Sequence, residues 1–386
     1  MKKKSLLYTF GGARIVHLTA TPSPQSVLEQ LTRWPRTKLA CLPTPVHPLR
    51  RLSGELGGPE IWIKRDDLSG LVGGGNKTRK LEFVVADALE AGATALVTVG
   101  AVQSNHTRQT AAAAARLGLD CVLLHNNWVP KPGDPYRRVG NILLSDMLGA
   151  RLYYDATERV VGDEGGLEAL GEQLRAEGQI PYLIPCGASE HRLGGFGYFV
   201  CAAEIALQAH DLGLEFDYVV HCTGGSSTQA GLLAGFAALG SETRVIGVSD
   251  DNESANKVER VFRLANATLA ELGFASEVAR TDVSVVTADP NPYGVPAAKT
   301  IDAMRLLAKC EGIVADPVYE GKSLVGLIEL IEDGVLRRGS RVLFLHMGGT
   351  PAIHGYAELL REAPLSDFPS HSRALANTPS AMPESR

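Results

Sequence analysis

The run Val72-Gly-Gly-Gly-Asn-Lys-Thr-Arg-Lys80 sets three glycines, an amide and a lysine at the mouth of a helix. Glycines let a backbone approach a ligand closely. An amine held still beside an anionic ligand can form a Schiff base with an aldehyde cofactor. A lysine at a helix start opposes the macrodipole, although a solvated lysine is also a common surface residue.

Three other segments carry unusual polar residues. Gln103-Ser-Asn-His-Thr-Arg108 follows an apolar strand and precedes an alanine-rich helix. Ser104 or Asn105 can serve as an N-cap there, but six consecutive polar residues exceed what capping requires. Cys222-Thr-Gly-Gly-Ser-Ser-Thr-Gln229 forms a backbone-amide nest with hydroxyls at a helix start, suited to a phosphate. It has neither the Walker lysine nor GxGxxG, which excludes a P-loop or dinucleotide site. Asp316-Pro-Val-Tyr-Glu-Gly-Lys322, with Asn291-Pro-Tyr-Gly294 upstream, adds two phenols and an acid. Tyr293 and Tyr319 can be packing aromatics, and Glu320 a first-turn acid favoured by the dipole. Together the segments supply an amine, a phosphate cradle, an acid and phenols, the set that pyridoxal phosphate needs.

These segments must be positioned by alternating strands and helices. Leu81, Val84, Val85, Ala88 and Leu89 mark an amphipathic helix ended by Gly92. Strands are expected at 95–99, 121–125, 151–154, 218–221, 245–248, 283–286 and 342–346, and helices at 110–117, 139–148 and 230–239. Short apolar strands alternating with helices imply an α/β fold with parallel sheets covered on both faces. Ligands then bind beyond the carboxyl ends of the strands. Residues 1–40 read as an extension that packs loosely or caps a partner, and 363–386, rich in Pro, Ser and Asn, as a disordered tail.

The 386 residues are enough for two domains. A net charge of −5 gives no electrostatic reason to bind nucleic acid or an anionic membrane. No apolar run reaches the roughly 18 residues that span a bilayer. The basic head Lys2-Lys-Lys4 leads into a run broken by Gly11, Gly12 and Arg14, which argues against a signal peptide. The six cysteines lack CxxC spacing and read as reduced thiols of a cytoplasmic protein, with no metal site.

Gly74 to Glu82, Gln103 to Gln109, Ser227 to Gly231 and Asp316 to Ser323 resemble, in order and spacing, 1-aminocyclopropane-1-carboxylate (ACC) deaminase and D-cysteine desulfhydrase. The resemblance runs from about Leu42 to Tyr356. It implies a two-domain tryptophan-synthase-β-like fold (fold type II), each domain a mostly parallel sheet covered by helices. It further implies a large cofactor domain of residues 41–79 and 191–362, a small domain of 80–190, and a homodimer acting on a small amino acid. By position it implies Lys77 as the Schiff base lysine and Lys80 near the phosphate. Ser104 would bind the substrate carboxylate or relay protons, and Asn105 would bond the cofactor's phenolic oxygen. Gly225, Ser226, Ser227 and Thr228 would cradle the phosphate, Tyr293 and Tyr319 would flank the substrate, and Glu320 would meet the pyridine nitrogen.

The deaminases resemble this chain in having an acid at the position of Glu320 and an apolar residue at that of Met347, and in Asn127-Trp-Val129 and Arg138-Val-Gly-Asn141. His106 is instead similar to the desulfhydrases. A carboxylate at Glu320 keeps the ring nitrogen protonated and strengthens the electron sink that opening a cyclopropane needs. The expected activity is therefore ACC conversion to 2-oxobutanoate and ammonia. The alternatives are β-elimination from D-cysteine, a lyase on another small amino acid, and a non-catalytic binder. Lys77, Ser104, Tyr293 and Tyr319 are the candidates for proton transfer, the phenols through lowered pKa values.

Overall fold

A computed structural model describes residues 22–130 and 132–361. The first 21 residues of the expected extension and the expected tail at 363–386 lie outside the described residues. Ten strands form two sheets among the described residues. The strands are β1 (Val46–Pro48), β2 (Glu60–Arg65), β3 (Ala95–Ala101), β4 (Asp120–Asn127), β5 (Arg151–Glu158), β6 (Pro181–Ile184), β7 (Tyr218–Thr223), β8 (Arg244–Ser249), β9 (Ser284–Val286) and β10 (Arg341–His346). The six-stranded sheet runs β1-β2-β10-β7-β8-β9 and the four-stranded sheet β5-β4-β3-β6. Only the β1–β2 pair is antiparallel.

The helices are α1 (Pro24–Gln30), α2 (Arg50–Leu56), α3 (Asn76–Glu90), α4 (Asn105–Leu117), α5 (Asn141–Met147), α6 (Leu167–Ala176), α7 (Phe196–Asp211), α8 (Ser227–Leu239), α9 (Ser254–Leu272), α10 (Ala298–Glu311), α11 (Glu320–Glu332) and α12 (Ala357–Leu360). Every strand expected from the apolar runs is present. β3 is buried along its whole length, as a parallel strand covered on both faces should be. β5 is not: it edges its sheet and most of its residues are exposed. The polar run after β3 is also less of a loop than its composition suggests, because Asn105 to Gln109 already belong to α4.

Residues 22–40 are not a loose extension. Val27, Leu31, Leu39 and Ala40 are buried in the core, and burying each large side chain contributes roughly 1.5–3 kcal/mol. The Leu39 and Ala40 amides donate to Glu82 Oε1 on α3 at 2.9 and 2.8 Å.

Helix α3 is also sewn down from beneath. Arg79, 1% exposed, reaches Asp66 and Glu204 through four bonds of 2.8–2.9 Å. Lys64 joins Glu204 at 2.6 Å, and the Tyr198 hydroxyl donates to Asp66 at 2.7 Å. Burial alone would raise the Asp66 carboxyl, but the Arg79 guanidinium holds it down at about 2. Gly197 lets α7 touch α3 here, since a Cβ would lie 2.5 Å from the Arg79 carbonyl carbon.

His125 on β4 and His221 on β7 are sealed in the sheets, each with one ring nitrogen against a backbone carbonyl and the other without a partner. Burial lowers both from 6.5 to about 4. Below pH 6.5 the unfolded chain binds protons that the folded chain refuses. The stability these rings contribute is complete above that pH and lost as pH falls through about 4. Two such groups give a slope of about 2.7 kcal/mol per pH unit. Urea unfolding of the cofactor-free protein at pH 7.5, 6.5 and 5.5 should show a first fall of about 0.7 kcal/mol, since the unfolded rings are half protonated at 6.5, and then a fall of about 2 kcal/mol. A flat profile throughout would contradict neutral burial.

Candidate active site

Loops after β3 and β6 of one sheet meet loops after β7, β8 and β10 of the other around a cavity of about 420 Å³. Lys77, Lys80, Ser104, Asn105, Gly225, Ser226, Thr228, Tyr293, Tyr319 and Glu320 all line it. Ser227, the remaining residue expected here, is buried behind the wall and accepts a bond from Lys80 Nζ at 2.7 Å.

Each group is placed by its element. Lys77 and Lys80 stand three residues apart on the first turns of α3, so they share a face. The Asn76 amide N–H donates to the Met347 carbonyl at 3.0 Å and its side chain to Thr228 Oγ1 at 3.3 Å. Gly348 approaches Gly75 so closely that a Cβ there would sit 2.8 Å from the Gly75 Cα. Ser104 caps α4, accepting from the His106 and Thr107 amides at 3.2 and 3.3 Å, and keeps its own O–H to donate. Asn105 Oδ1 is taken by Asn141 at 2.9 Å, which leaves its NH2 as the free end. Asp316 caps α11 through the Val318, Tyr319 and Glu320 amides. Tyr293 and Tyr319 share a hydroxyl–hydroxyl bond of 2.6 Å.

Burial moves the titratable groups toward their neutral forms. Desolvation lowers the Lys77 ammonium, partly offset by nearby thiols and by Asp250 and Glu320, and its Nζ lies 5.8 Å from the centre of the Tyr319 ring. Burial and the charge of Lys77 push Lys80 well down. Burial and Asp316 push Glu320 well up, toward the protonated acid, with Oε2 unpartnered. The phenols depart from expectation. Burial raises Tyr293 and outweighs the lowering by its bond to Tyr319, and burial together with Tyr293 raises Tyr319, so neither phenol ends below its ordinary value.

The cavity fits pyridoxal phosphate. Ser226 Oγ, Glu320 Oε2 and His106 Nδ1 are buried without partners. Gly224 and Gly225 precede the N-terminus of α8, with Ser226 at a φ of 72°. That end offers amides and a favourable dipole to a phosphate. An amine, a neutral acid and an amide donor converge on the same space.

Sequence reasoning did not single out the wall of Cys186, Gly187 and Ser189, nor Asp250. Pro185-Cys-Gly-Ala-Ser189 directly follows apolar β6, the same strand-then-polar-loop signal as the other loops. Asp250 likewise follows β8.

Residues 37–348 match the family described as pyridoxal-phosphate dependent enzyme. The chain is 46% identical to 1-aminocyclopropane-1-carboxylate deaminase of Burkholderia vietnamiensis over 335 residues, 86% of this chain and 99% of that one. It is 46% identical to the same enzyme of Burkholderia cenocepacia over 334 residues, with equal coverage. A solved crystal structure of an ACC deaminase homologue superposes with a TM-score of 0.79 at 34% identity, covering 86% of this chain and 98% of the other.

Gly348 has a φ of 101° as well as the contact with Gly75. Gly348→Ala should therefore lower the unfolding free energy by roughly 2–4 kcal/mol in urea titrations. A change under about 0.5 kcal/mol, the range of an ordinary surface substitution, would mean the contact is soft.

Proposed function

The chain belongs to the pyridoxal-phosphate dependent enzymes, and from that membership we propose that it converts ACC and water to 2-oxobutanoate and ammonia. The observation that carries this reading is the near-full-length identity with the two Burkholderia deaminases. The neutral acid Glu320 in the wall supports it chemically.

In this reading Lys77 would bond the cofactor's aldehyde carbon. Lys80, Ser227, Gly225, Ser226 and Thr228 would hold its phosphate at the α8 N-terminus, and Asn105 would donate to its phenolic oxygen. When bound, the cofactor supplies an electron sink for bond breaking at the α-carbon. Burial lowers the Lys77 ammonium toward the free amine, the form that can attack a carbonyl and later carry a proton. Glu320 holds a proton it can pass to a basic nitrogen set against Oε2. Ser104 has an unspent donor for the substrate carboxylate. The bonded phenols Tyr293 and Tyr319 stay protonated, so their role is to donate or relay protons at the substrate.

The proposal includes a large cofactor domain of 41–79 and 191–362 and a small domain of 80–190, supported by the two sheets. It also includes a homodimer, supported by the family resemblance. Six free thiols support a reducing, cytoplasmic setting. No helix among the described residues is long and apolar enough to cross a membrane.

Lys77→Ala should abolish the visible absorbance of the lysine-linked cofactor; full retention would remove Lys77 from its role. Assaying 2-oxobutanoate from ACC beside pyruvate and sulfide from D-cysteine tests the substrate. ACC should be the better substrate by kcat/KM, and a preference for D-cysteine would overturn the reading. Glu320→Ser should lower ring opening at least about tenfold more than β-elimination, because only ring opening lacks an α-hydrogen to assist it. Equal losses would sink the electron-sink account.

A further inference from the structure

Six consecutive residues before α3 are left-handed. Gly70, Leu71, Val72, Gly73, Gly74 and Gly75 have φ values of 95°, 44°, 45°, 84°, 58° and 124°. Glycine accepts this, and Gly74 requires it, since a Cβ would lie 1.9 Å from the Asp67 carbonyl oxygen. Leu71 and Val72 do not. A left-handed residue with a Cβ is disfavoured on the order of tenfold, and a β-branched one is a rare outlier. Something must hold the turn.

Gly75 is tied locally to Ser69 Oγ and the Asp66 carbonyl, and Arg108 on α4 holds the residues before it. It is fully buried and donates to the carbonyls of Leu71 (3.3 Å), Val72 and Gly74 (2.9 Å). Its remaining bond goes to Asn141 Oδ1 at 2.7 Å. Every acceptor is neutral, and burial with no carboxylate nearby lowers the guanidinium to about 9. Asn141 is fixed in turn by Gln103, which accepts from its amide at 2.9 Å, and by donating to the Gln103 carbonyl and Asn105 Oδ1, both at 2.9 Å. A buried charge spent on neutral oxygens, three of them carbonyls of a strained turn, is costly for stability. It makes sense as a device for geometry.

We propose that Arg108 is a positioning residue for Lys77: from the four-stranded-sheet side it clamps the left-handed turn that sets where α3 begins. This rests on the reading of Lys77 as the cofactor-bonding lysine. Arg108 does not line the cavity and acts only through the turn. The clamp also couples the halves of the protein, because the same Asn141 that orients Arg108 orients Asn105.

The test compares Arg108→Met and Arg108→Lys, each alone and combined with Leu71→Gly and Val72→Gly. Hydrogen exchange of the 70–76 amides is read in the cofactor-free protein, alongside pyridoxal phosphate affinity and steady-state kinetics. Arg108→Met should speed exchange in the turn by about tenfold or more, weaken cofactor binding about tenfold, and lower kcat more than it raises KM. The two glycines should restore at least about threefold of the affinity, because a turn without strain needs less holding. A role in packing alone predicts faster exchange across the whole chain and no recovery from glycine. That result, or unchanged exchange in the turn, overturns the proposal. If Arg108→Met does not fold, Arg108→Lys keeps the cation but not the fork and should move each readout the same way by less. Lys77→Ala with undiminished absorbance would overturn the reading of Lys77, while exchange and glycine recovery would still decide Arg108.

Discussion

Everything at the site depends on one buried ion network, Arg79 with Asp66, Glu204 and Lys64. Arg79 lies two positions after Lys77, so on a helix it points nearly opposite to it. The face that carries Lys77 and Lys80 is thus fixed by what holds the other face. Such a network adds little net stability over an apolar core, since desolvation offsets most of the attraction. Its effect is on register: a slide or rotation of α3 would strand a charge, at a cost of about 3–5 kcal/mol. Glu82, one turn further along, binds the backbone of Leu39 and Ala40, so the same helix also fixes the first described segment of the chain.

With α3 fixed, the cavity can be polar and still carry little charge. Lys77, Lys80, His106, Tyr293, Tyr319 and Glu320 are each driven toward the neutral form by the same burial. A phosphate anion arriving at the α8 N-terminus would reverse this for Lys80, which has a hydroxyl partner but no counter-ion. The cofactor would then supply the missing charge, and the protonation states of the loaded site would differ from those of the cofactor-free protein.

Much of this was legible in the sequence because it is local. β3, β4, β7, β8 and β10 are continuous apolar runs, and the polar residues that follow β3 and β7 stand out against them. What was illegible is long-range. β2 begins with a glutamate and ends in Lys64-Arg65, so its pattern is weak until β10 pairs with it. Arg79, Asp66 and Glu204 look like surface charges in sequence because their partners lie 13 and 125 residues apart. Residues 22–40 lack periodicity, yet Val27, Leu31, Leu39 and Ala40 are buried, with α1 packed on α7 and Leu39 and Ala40 bound to Glu82 of α3. The phenol pKa values were misjudged for a related reason: the bond between Tyr293 and Tyr319 is visible in principle, but the desolvation that outweighs it is a property of the closed cavity.

His106, the residue that divided the two substrate readings, is constrained by its neighbours. Thr98 has one hydroxyl hydrogen, and it goes to the Ile184 carbonyl at 2.7 Å. The 2.8 Å contact between Thr98 Oγ1 and His106 Nε2 must therefore be a donation from the ring. That leaves Nδ1 as a bare lone pair, buried and unpartnered. The cation is disfavoured by burial and by Lys77 and Lys80, so the ring cannot recover a donor there by protonation. An imidazole in this state cannot donate to a carboxylate. Recognition of an amino-acid carboxylate would fall to the Ser104 hydroxyl, which still has a donor to give. A histidine at this position is thus compatible with either substrate, and the choice between ring opening and β-elimination moves to the other side of the cavity, where Glu320 holds its proton.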